Sequence, residues 1–321
     1  MSRMSTRDRR PGEKSRPGGP PPDDDAARLI GAALAEQAAR EMAEPLAGGL
    51  YIVATPIGNL GDMTVRAATT LARADAILCE DTRTSRTLLA RYAIRRPLRA
   101  FHEHNEEVEQ VRVLAELAED HAIALISDAG TPLLSDPGFK LVRAVVAAGH
   151  PVIALPGASA VLAGLTMSGL PTDSFFFGGF LPARQTARRT RLEQLATVPA
   201  SLVLFESPSR LADALGDIAA TLGAREVVVA RELTKHFEEI RRGSAADLSR
   251  AIAAEGVKGE IVLVIAPPPP REASDDDIID ALRREMATSS LRDAARIVAD
   301  DLGAARSRVY QIGLRLKDAP R

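Results

Sequence analysis

Two α/β domains followed by a small helical tail are what this sequence predicts, on three observations. Short apolar, β-branched runs alternate with helical patterns from residue 49 onward. Three of those runs lead straight into polar, glycine-containing loops. A tetraproline at 267–270, a stiff spacer, then separates the last run from three short helical patterns.

The first domain covers 49–156. YIVAT (51–55), AILCE (76–80), AIALIS (122–127) and VIALP (152–156) each read as a buried parallel strand. Helical spacing lies between them: Val65, Ala68, Leu71 and Ala72; Leu88, Leu89 and Tyr92; Val108, Val111, Leu114 and Leu117. Leu141, Val142, Val145 and Val146 make a fourth pattern. The second domain covers 157–267, with strands expected at SFFFGGF (174–180), SLVLFES (201–207), EVVVARE (226–232) and EIVLVIA (260–266). Helices fit 183–197, 208–222 and 244–256, and the sheet is expected to be mixed.

The tail, 273–317, holds helical patterns at 275–287, 290–301 and 304–317. Ser290 suits an N-cap and Gly303 a tight turn, so the tail reads as helix-turn-helix-like. Its last helix carries Arg306, Arg308, Arg315 and Lys317. At the other end, residues 1–48 form an arm. Residues 1–25 are rich in Arg, Pro, Gly and Asp and are expected to be disordered. Asp25 to Met42, rich in alanine, suits a helix that ends before Pro45.

Composition narrows the function. Hydrophobic residues make up 45% and charged residues 26% of the 321, as in a folded globule. A net charge of −2 excludes nucleic-acid binding through bulk charge, so any RNA contact must be a local patch. With one cysteine, Cys79, there is no intramolecular disulfide and no cysteine zinc cage. No apolar run reaches the roughly 18 residues of a membrane span, and no signal peptide is recognisable. A soluble, cytoplasmic protein is expected.

The loops carry the chemistry. ATPIGNLGD (54–62) follows the first strand, and its Pro56, Gly58 and Gly61 allow a compact turn at a strand's carboxyl end, where open α/β sheets bind ligands. It is neither GxGxxG nor a phosphate loop. SDAGTPLLSDPG (127–138) is unusually polar. Amides freed by Gly130 and Gly138 suit a carboxylate, while Asp128 or Asp136 suits an ammonium or ribose hydroxyls. Part of this loop also reads as a helix start, with Ser135 or Asp136 as N-cap and Pro137 in the first turn. LPGASA (155–160) brings a third such loop to the same sheet edge, and the three together read as one small-molecule pocket.

ATPIGNLGD, EDTR (80–83), HEHNE (102–106), SDAGTPLLSDPG, PGASA, SGLPT (168–172), GFLP (179–182), ELTK (232–235) and KGE (258–260) occur in one order. In that order the chain resembles the S-adenosylmethionine-dependent tetrapyrrole-methylase superfamily, in its ribosomal RNA 2′-O-ribose branch. The resemblance covers about 49–266, and the helical tail also looks like that family's extension. It departs at Phe205, where the family often has tyrosine, and the arm lies outside it. The resemblance implies two α/β domains of the tetrapyrrole-methylase type with a cofactor cleft between them, and a homodimer. It further implies 2′-O-methylation of a cytidine in the 16S ribosomal RNA of the small subunit.

S-adenosyl-L-methionine is then expected on Pro56, Gly58, Asp128, Ala129, Gly130, Thr131, Leu133, Ser135, Asp136, Pro156, Gly157, Ser159 and Ala160. Glu80 or Asp81, after the second strand, is expected near the reacting hydroxyl. Arg83, Asn105, Lys235, Arg188 and Arg189 are expected on RNA. Arg83 suits a phosphate through its planar fork, with a salt bridge to Glu80 or Asp81 as the alternative. His102 and His104 lie near Glu103 and Glu106, but no third ligand cluster accompanies them and methyl transfer needs no metal, so none is expected. Two other readings stand beside this one: a ring- or protein-modifying methylase of the same fold, and a DNA-binding regulator that uses the tail.

Overall fold

The computed structural model describes residues 24–269 and 273–318 and divides into two compact units. The first runs to Gly164 and also takes in Arg231–Glu239; the second holds 165–230 and the residues from Ile240 onward.

In the first unit, helix α1 (Asp24–Ala43) precedes β1 (Gly49–Val53), α2 (Val65–Arg73), β2 (Ala76–Cys79), α3 (Thr82–Arg91) and β3 (Leu98–Ala100). Then come α4 (Glu106–Ala118), β4 (Ala122–Leu125), α5 (Phe139–Ala147), β5 (Val152–Leu155) and α6 (Ala160–Ser168), whose last turn passes into the second unit. The sheet order is β3-β2-β4-β1-β5 and every pairing in it is parallel. Successive residues of a strand face opposite sides, so Tyr51, Val53, Ile77 and Ala124 pack with α2 residues such as Leu71. Leu50, Ile52, Leu78 and Ile123 pack on the other side with Leu117 of α4 and Leu141 of α5. Both faces are covered, which is why these strands read as unbroken apolar runs.

Two elements of this unit leave little trace in the sequence. Strand β3 has only three residues, and it is fixed by pairing to β2 and by the Arg99 guanidinium on Glu116 at 2.7 Å. Helix α6 follows the third loop without a polar face to give it a period. The expected start of α5 is also corrected. Its N-cap is Gly138, at φ 126°, and neither Ser135 nor Asp136 caps it. Leu133 and Ser135 hold positive φ (76° and 73°), so the loop turns twice before the helix can begin.

Most of α1 is exposed, including Leu29, Ile30 and Leu34, but its last turns dock on α2. The Glu41 carboxylate accepts a hydrogen bond from the Thr69 hydroxyl, and Arg73 donates to the Glu44 carbonyl at 2.9 Å. The helix expected in the arm is therefore present and anchored at its carboxyl end. The disorder expected over residues 1–25 fails at Asp24 and Asp25, where α1 has already begun, and residues 1–23 lie outside the described residues.

The second unit contains β6 (Phe175–Phe180), α7 (Gln185–Leu195), β7 (Ser201–Glu206), α8 (Leu211–Leu222) and β8 (Glu226–Arg231). It continues with β9 (Glu239–Ser244), α9 (Ala245–Glu255) and β10 (Ile261–Ile265). Its order is β6-β7-β10-β8-β9, with β6 parallel and β10 antiparallel to β7, so the sheet is mixed as its sequence suggested. Leu202, Leu204, Val227, Val229 and Leu263 make its core with Leu192 of α7 and Leu215 of α8. Edge strand β9, EIRRGS, escaped the sequence because it has no apolar run. Phe205 packs edge-on against Phe177 and Phe180, with ring centroids 5.0 and 5.5 Å apart.

The tail folds as α10 (Asp275–Glu285), α11 (Leu291–Leu302) and α12 (Arg306–Asp318) around Ile278, Leu282, Val298, Val309 and Ile312. Ser274 and Asp277 make a capping box, Ser290 caps α11, and Gly303 closes it in the left-handed conformation.

Candidate functional site

Strand order assembles the site. In the sequence the three glycine-containing loops follow the first, third and fourth predicted strands; in the sheet those strands, β1, β4 and β5, are immediate neighbours with β1 in the centre. Because all run parallel, the three loops emerge at one edge. Strand β2 lies beside β4, so the EDTR segment joins them there.

Short polar contacts lock the loops together. Thr55 and Gly130 exchange backbone hydrogen bonds at 2.9 and 3.0 Å, tying the β1 loop to the β4 loop. The Thr55 hydroxyl donates to the Ser127 carbonyl at 3.2 Å, and the Thr131 hydroxyl donates to the Ala158 carbonyl at 3.1 Å. Gly130 has φ +79°, and a Cβ there would meet Ile57 at 3.1 Å; at Gly157 a Cβ would sit 2.8 Å from that of Ala54. Both glycines are there because backbone packs against side chain at these points. Pro56 and Gly130 are buried inside the assembly, whereas Gly58, Asp128, Ala129, Ser135, Pro156 and Gly157 are exposed. Leu133, Thr131, Asp136, Ser159 and Ala160 are half-buried. Ser159 accepts from the Leu162 amide, and Ala160 opens α6.

The carboxylates of this edge differ sharply. Asp81 caps α3 through the Arg83 amide and also binds the Arg83 guanidinium, at 2.8 Å in each case. Those bonds hold its carboxyl down at about 2. The salt bridge foreseen as an alternative for Arg83 is thus made, although the arginine side chain is 87% exposed. Such an Asp81 is a poor proton acceptor. Asp128 accepts the Asp81 amide at 3.2 Å. Asp136 lies half-buried in its loop; burial, and then the negative charge of Glu80, push its carboxyl up to about 6.

Lys235, expected on RNA, belongs to the Arg231–Glu239 segment of the same unit. Its alkyl chain lies over Gly58, where a Cβ would come within 2.3 Å of it, and its ammonium binds Glu232 at 2.9 Å. Asn105 does not face outward. Its amide donates to the Ala100 carbonyl at 2.8 Å and accepts from the His102 amide at 2.9 Å, so its polar atoms close the turn after β3. His102 and His104 sit in that turn rather than on a strand, their rings 5.9 Å apart.

The basic stretch of α7 is corrected too. Arg188 is 3% exposed and clamps buried Asp217 of α8 at 2.6 Å; Arg189 and Gln185 bind the same carboxylate at 2.7 and 3.2 Å. The buried Arg188 guanidinium, used in this way, has no donor fork left for phosphate, whereas Arg189 binds Asp217 through Nε alone and its side chain is 49% exposed. On α12, by contrast, Arg306, Tyr310, Gln311, Arg315 and Lys317 are exposed, while Arg308 pairs with Asp275 at 2.6 Å.

The edge suits S-adenosylmethionine on chemical grounds. Glu80, Asp128 and Asp136 give it negative character suited to a ligand with a sulfonium and an ammonium, and exposed backbone at Ala129 and Gly157 offers hydrogen bonds. What the sequence missed is the proton affinity of Asp136. Four acidic residues after two predicted strands were the available signal, but nothing linear places β2 beside β4.

Comparison with known proteins assigns the class first. Residues 49–249 match the family model for tetrapyrrole (corrin/porphyrin) methylases, and residues 272–317 match the RsmI C-terminal HTH domain. Among solved structures, diphthine synthase aligns with a TM-score of 0.54 at 15% identity, over 68% of this chain and 89% of that one. A cobalt precorrin-4 methyltransferase aligns at 0.52 and 19%, over 68% and 94%. At such identities these two speak for the fold alone.

Curated relatives narrow the class. The ribosomal RNA small subunit methyltransferase I of Mesorhizobium japonicum is 48% identical over 86% of this chain and 95% of its own. Those of Xylella fastidiosa (strain Temecula1) and Haemophilus influenzae are 46% and 45% identical, over 82% and 84% of this chain and 98% and 97% of theirs. The chain belongs to the ribosomal RNA small subunit methyltransferase I family. Its cofactor is accordingly S-adenosylmethionine, as the sequence led us to expect.

Proposed function

We propose that this chain transfers a methyl group to the 2′-oxygen of a cytidine in 16S ribosomal RNA, acting in the cytoplasm as a homodimer. The observation that carries the reading is the convergence of the β1, β4 and β5 loops at one sheet edge, in a chain 41–48% identical to small-subunit methyltransferases. When bound, S-adenosylmethionine supplies an electrophilic methyl carbon. In this reading Gly58, Ala129, Gly130 and Gly157 let backbone approach it, and Asp128 receives its ammonium or ribose hydroxyls. The protein's main contribution is to hold the ribose hydroxyl in line with the carbon–sulfur bond. Arg83, reoriented from Asp81, and the exposed cations of α12 are the groups suited to RNA phosphates. Lys235 keeps the β1 loop in place and lies near enough to take part.

The test is to map ribose methylation in 16S ribosomal RNA from cells with and without this chain, and then to restore it with purified protein and S-adenosylmethionine. Loss of one cytidine 2′-O-methyl in its absence is the expected result; an unchanged ribose map refutes the assignment. Gly130→Val, which forces a branched side chain into a +79° backbone against Ile57, is expected to abolish calorimetric binding of S-adenosylhomocysteine. Wild-type affinity in that variant would remove Gly130 from the site.

A further inference from the structure

We propose that Glu80 and Asp136 act as a carboxylate pair at the site edge, in which Asp136 receives the proton lost by the ribose hydroxyl during methyl transfer and Glu80 makes it the more basic of the two. This rests on the function proposed above and assigns a step that positioning alone leaves open.

The geometry comes first. Glu80 stands at the carboxyl end of β2, and Asp136 in the loop after β4; the two strands are hydrogen-bonded neighbours. Both residues line one cavity of about 10 Å³ with Ser127, walled by Phe101, Leu125 and Pro132. That is about the space of one water molecule. Glu80 is exposed and Asp136 half-buried, so the pair links the apolar wall to the site edge. Two carboxylates in one small, partly apolar site cannot both ionise easily, and the more buried keeps its proton longer. The charged groups that bear on Asp136 raise its proton affinity, and a hydrogen bond with the Ser127 hydroxyl opposes them without cancelling their effect. Glu80 from β2 and Asp128 from the head of its own loop are both negative. Asp81, the remaining acid of this edge, is neutralised by Arg83.

The transfer releases a proton that such a group can take. As the ribose oxygen bonds to the methyl carbon, the carbon–sulfur bond breaks and its electron pair stays on sulfur. The hydroxyl proton, now strongly acidic, must leave. Asp136 takes it, directly or through the one water the cavity admits, and becomes a neutral acid; bulk water then removes the proton past Glu80. A base of this kind works best when its affinity lies near the working pH. At about 6 Asp136 is mostly ionised at neutral pH, yet far more basic than Asp81.

The experiment is a single-turnover pH profile on small ribosomal subunits that lack the modification, with S-adenosylhomocysteine affinity measured in parallel. For the wild type we expect the rate to fall tenfold per pH unit below about 6. Asp136→Asn is expected to lose on the order of a hundredfold in rate and the inflection with it, while nucleoside affinity stays within about twofold. Glu80→Gln, at an exposed position that should not disturb folding, is expected to move the inflection to lower pH, because the charge that raises Asp136 is gone. If Asp136→Asn keeps the inflection, or loses nucleoside affinity in proportion to rate, Asp136 is a cofactor contact and the proposal fails. Should that variant not fold, Glu80→Gln decides: an unmoved inflection overturns the pair. A wild type with no transfer to any subunit fails the functional reading instead, which is a separate outcome.

Discussion

Asp217 in the second unit and Asp136 in the first are the same side chain, withdrawn from water to different degrees and brought to opposite states. Burial raises the proton affinity of each. Around Asp217 the Arg189, Arg188 and Gln185 side chains more than offset it, and the carboxyl ends below its usual value. Around Asp136 the charged neighbours are Glu80 and Asp128, which add to the effect of burial and outweigh the hydrogen bond from Ser127. The first arrangement fixes α7 to α8 and has no proton to give. The second keeps a proton within reach of neutral pH, and such perturbed groups cluster where chemistry is done. The difference teaches that neither burial nor a local basic run reports function; the sign of the neighbours does.

The comparison breaks most visibly at Asp217. Asp217→Ala strands the buried Arg188 guanidinium, and we expect a loss of about 3–5 kcal/mol in chemical denaturation, the range for removing one partner of a buried pair. A loss under 1 kcal/mol would mean that water reaches Arg188. Because the folded carboxyl lies below its usual 3.8, its contribution is full above that value and disappears as pH falls through the folded one. The arginines of α7 therefore cannot be tested as RNA contacts by removing them together; such a variant reports on folding.

Asp136→Asn should act in the other direction and less strongly. A carboxyl raised from 3.8 to about 6 costs stability in full once pH has risen past both values, and nothing well below 3.8, where both states are protonated. The variant should thus melt higher than wild type at pH 8, by about 1 kcal/mol after allowance for partial solvation, and equally at about pH 2.5, well below both values. A gain present at both values would mean better packing rather than relief of charge.

A smaller effect is expected from deleting residues 1–48. The Glu41–Thr69 contact and the Arg73–Glu44 hydrogen bond go with α1, for about 1 kcal/mol and a few degrees in melting temperature. Methyl transfer should persist; its loss would give the arm a role in the site. The smallest effect on stability belongs to α12. Replacing exposed Arg306, Arg315 and Lys317 with glutamine should change folding by less than about 0.5 kcal/mol. It should also flatten the salt dependence of subunit binding by about 2 in logarithmic slope. An unchanged slope would remove the tail from RNA recognition.

Much of this could be read from the linear chain. Among the described residues, apolar runs marked seven of the ten strands closely and an eighth in part, because an unbroken apolar run is legible without knowing its partners. Glycine and proline marked the loops at 54–62, 127–138 and 155–160, since backbone conformation is a local property. The motif order gave the family. Strands β3 and β9, with Arg99 and with EIRRGS, stayed hidden because pairing and edge position, not burial, hold them. Strand neighbours were equally hidden, for a parallel sheet may order its strands in many ways, and only the order β2-β4-β1-β5 places Glu80 beside Asp136. Charge is where sequence failed most. Arg188 and Asn105 looked free for RNA, and tertiary contacts with Asp217 and the turn after β3 claimed them, while Arg189 is held to Asp217 through Nε alone. Local conformation and hydrophobic pattern are written residue by residue; the state of a charged group depends on what the fold brings within a few ångströms of it.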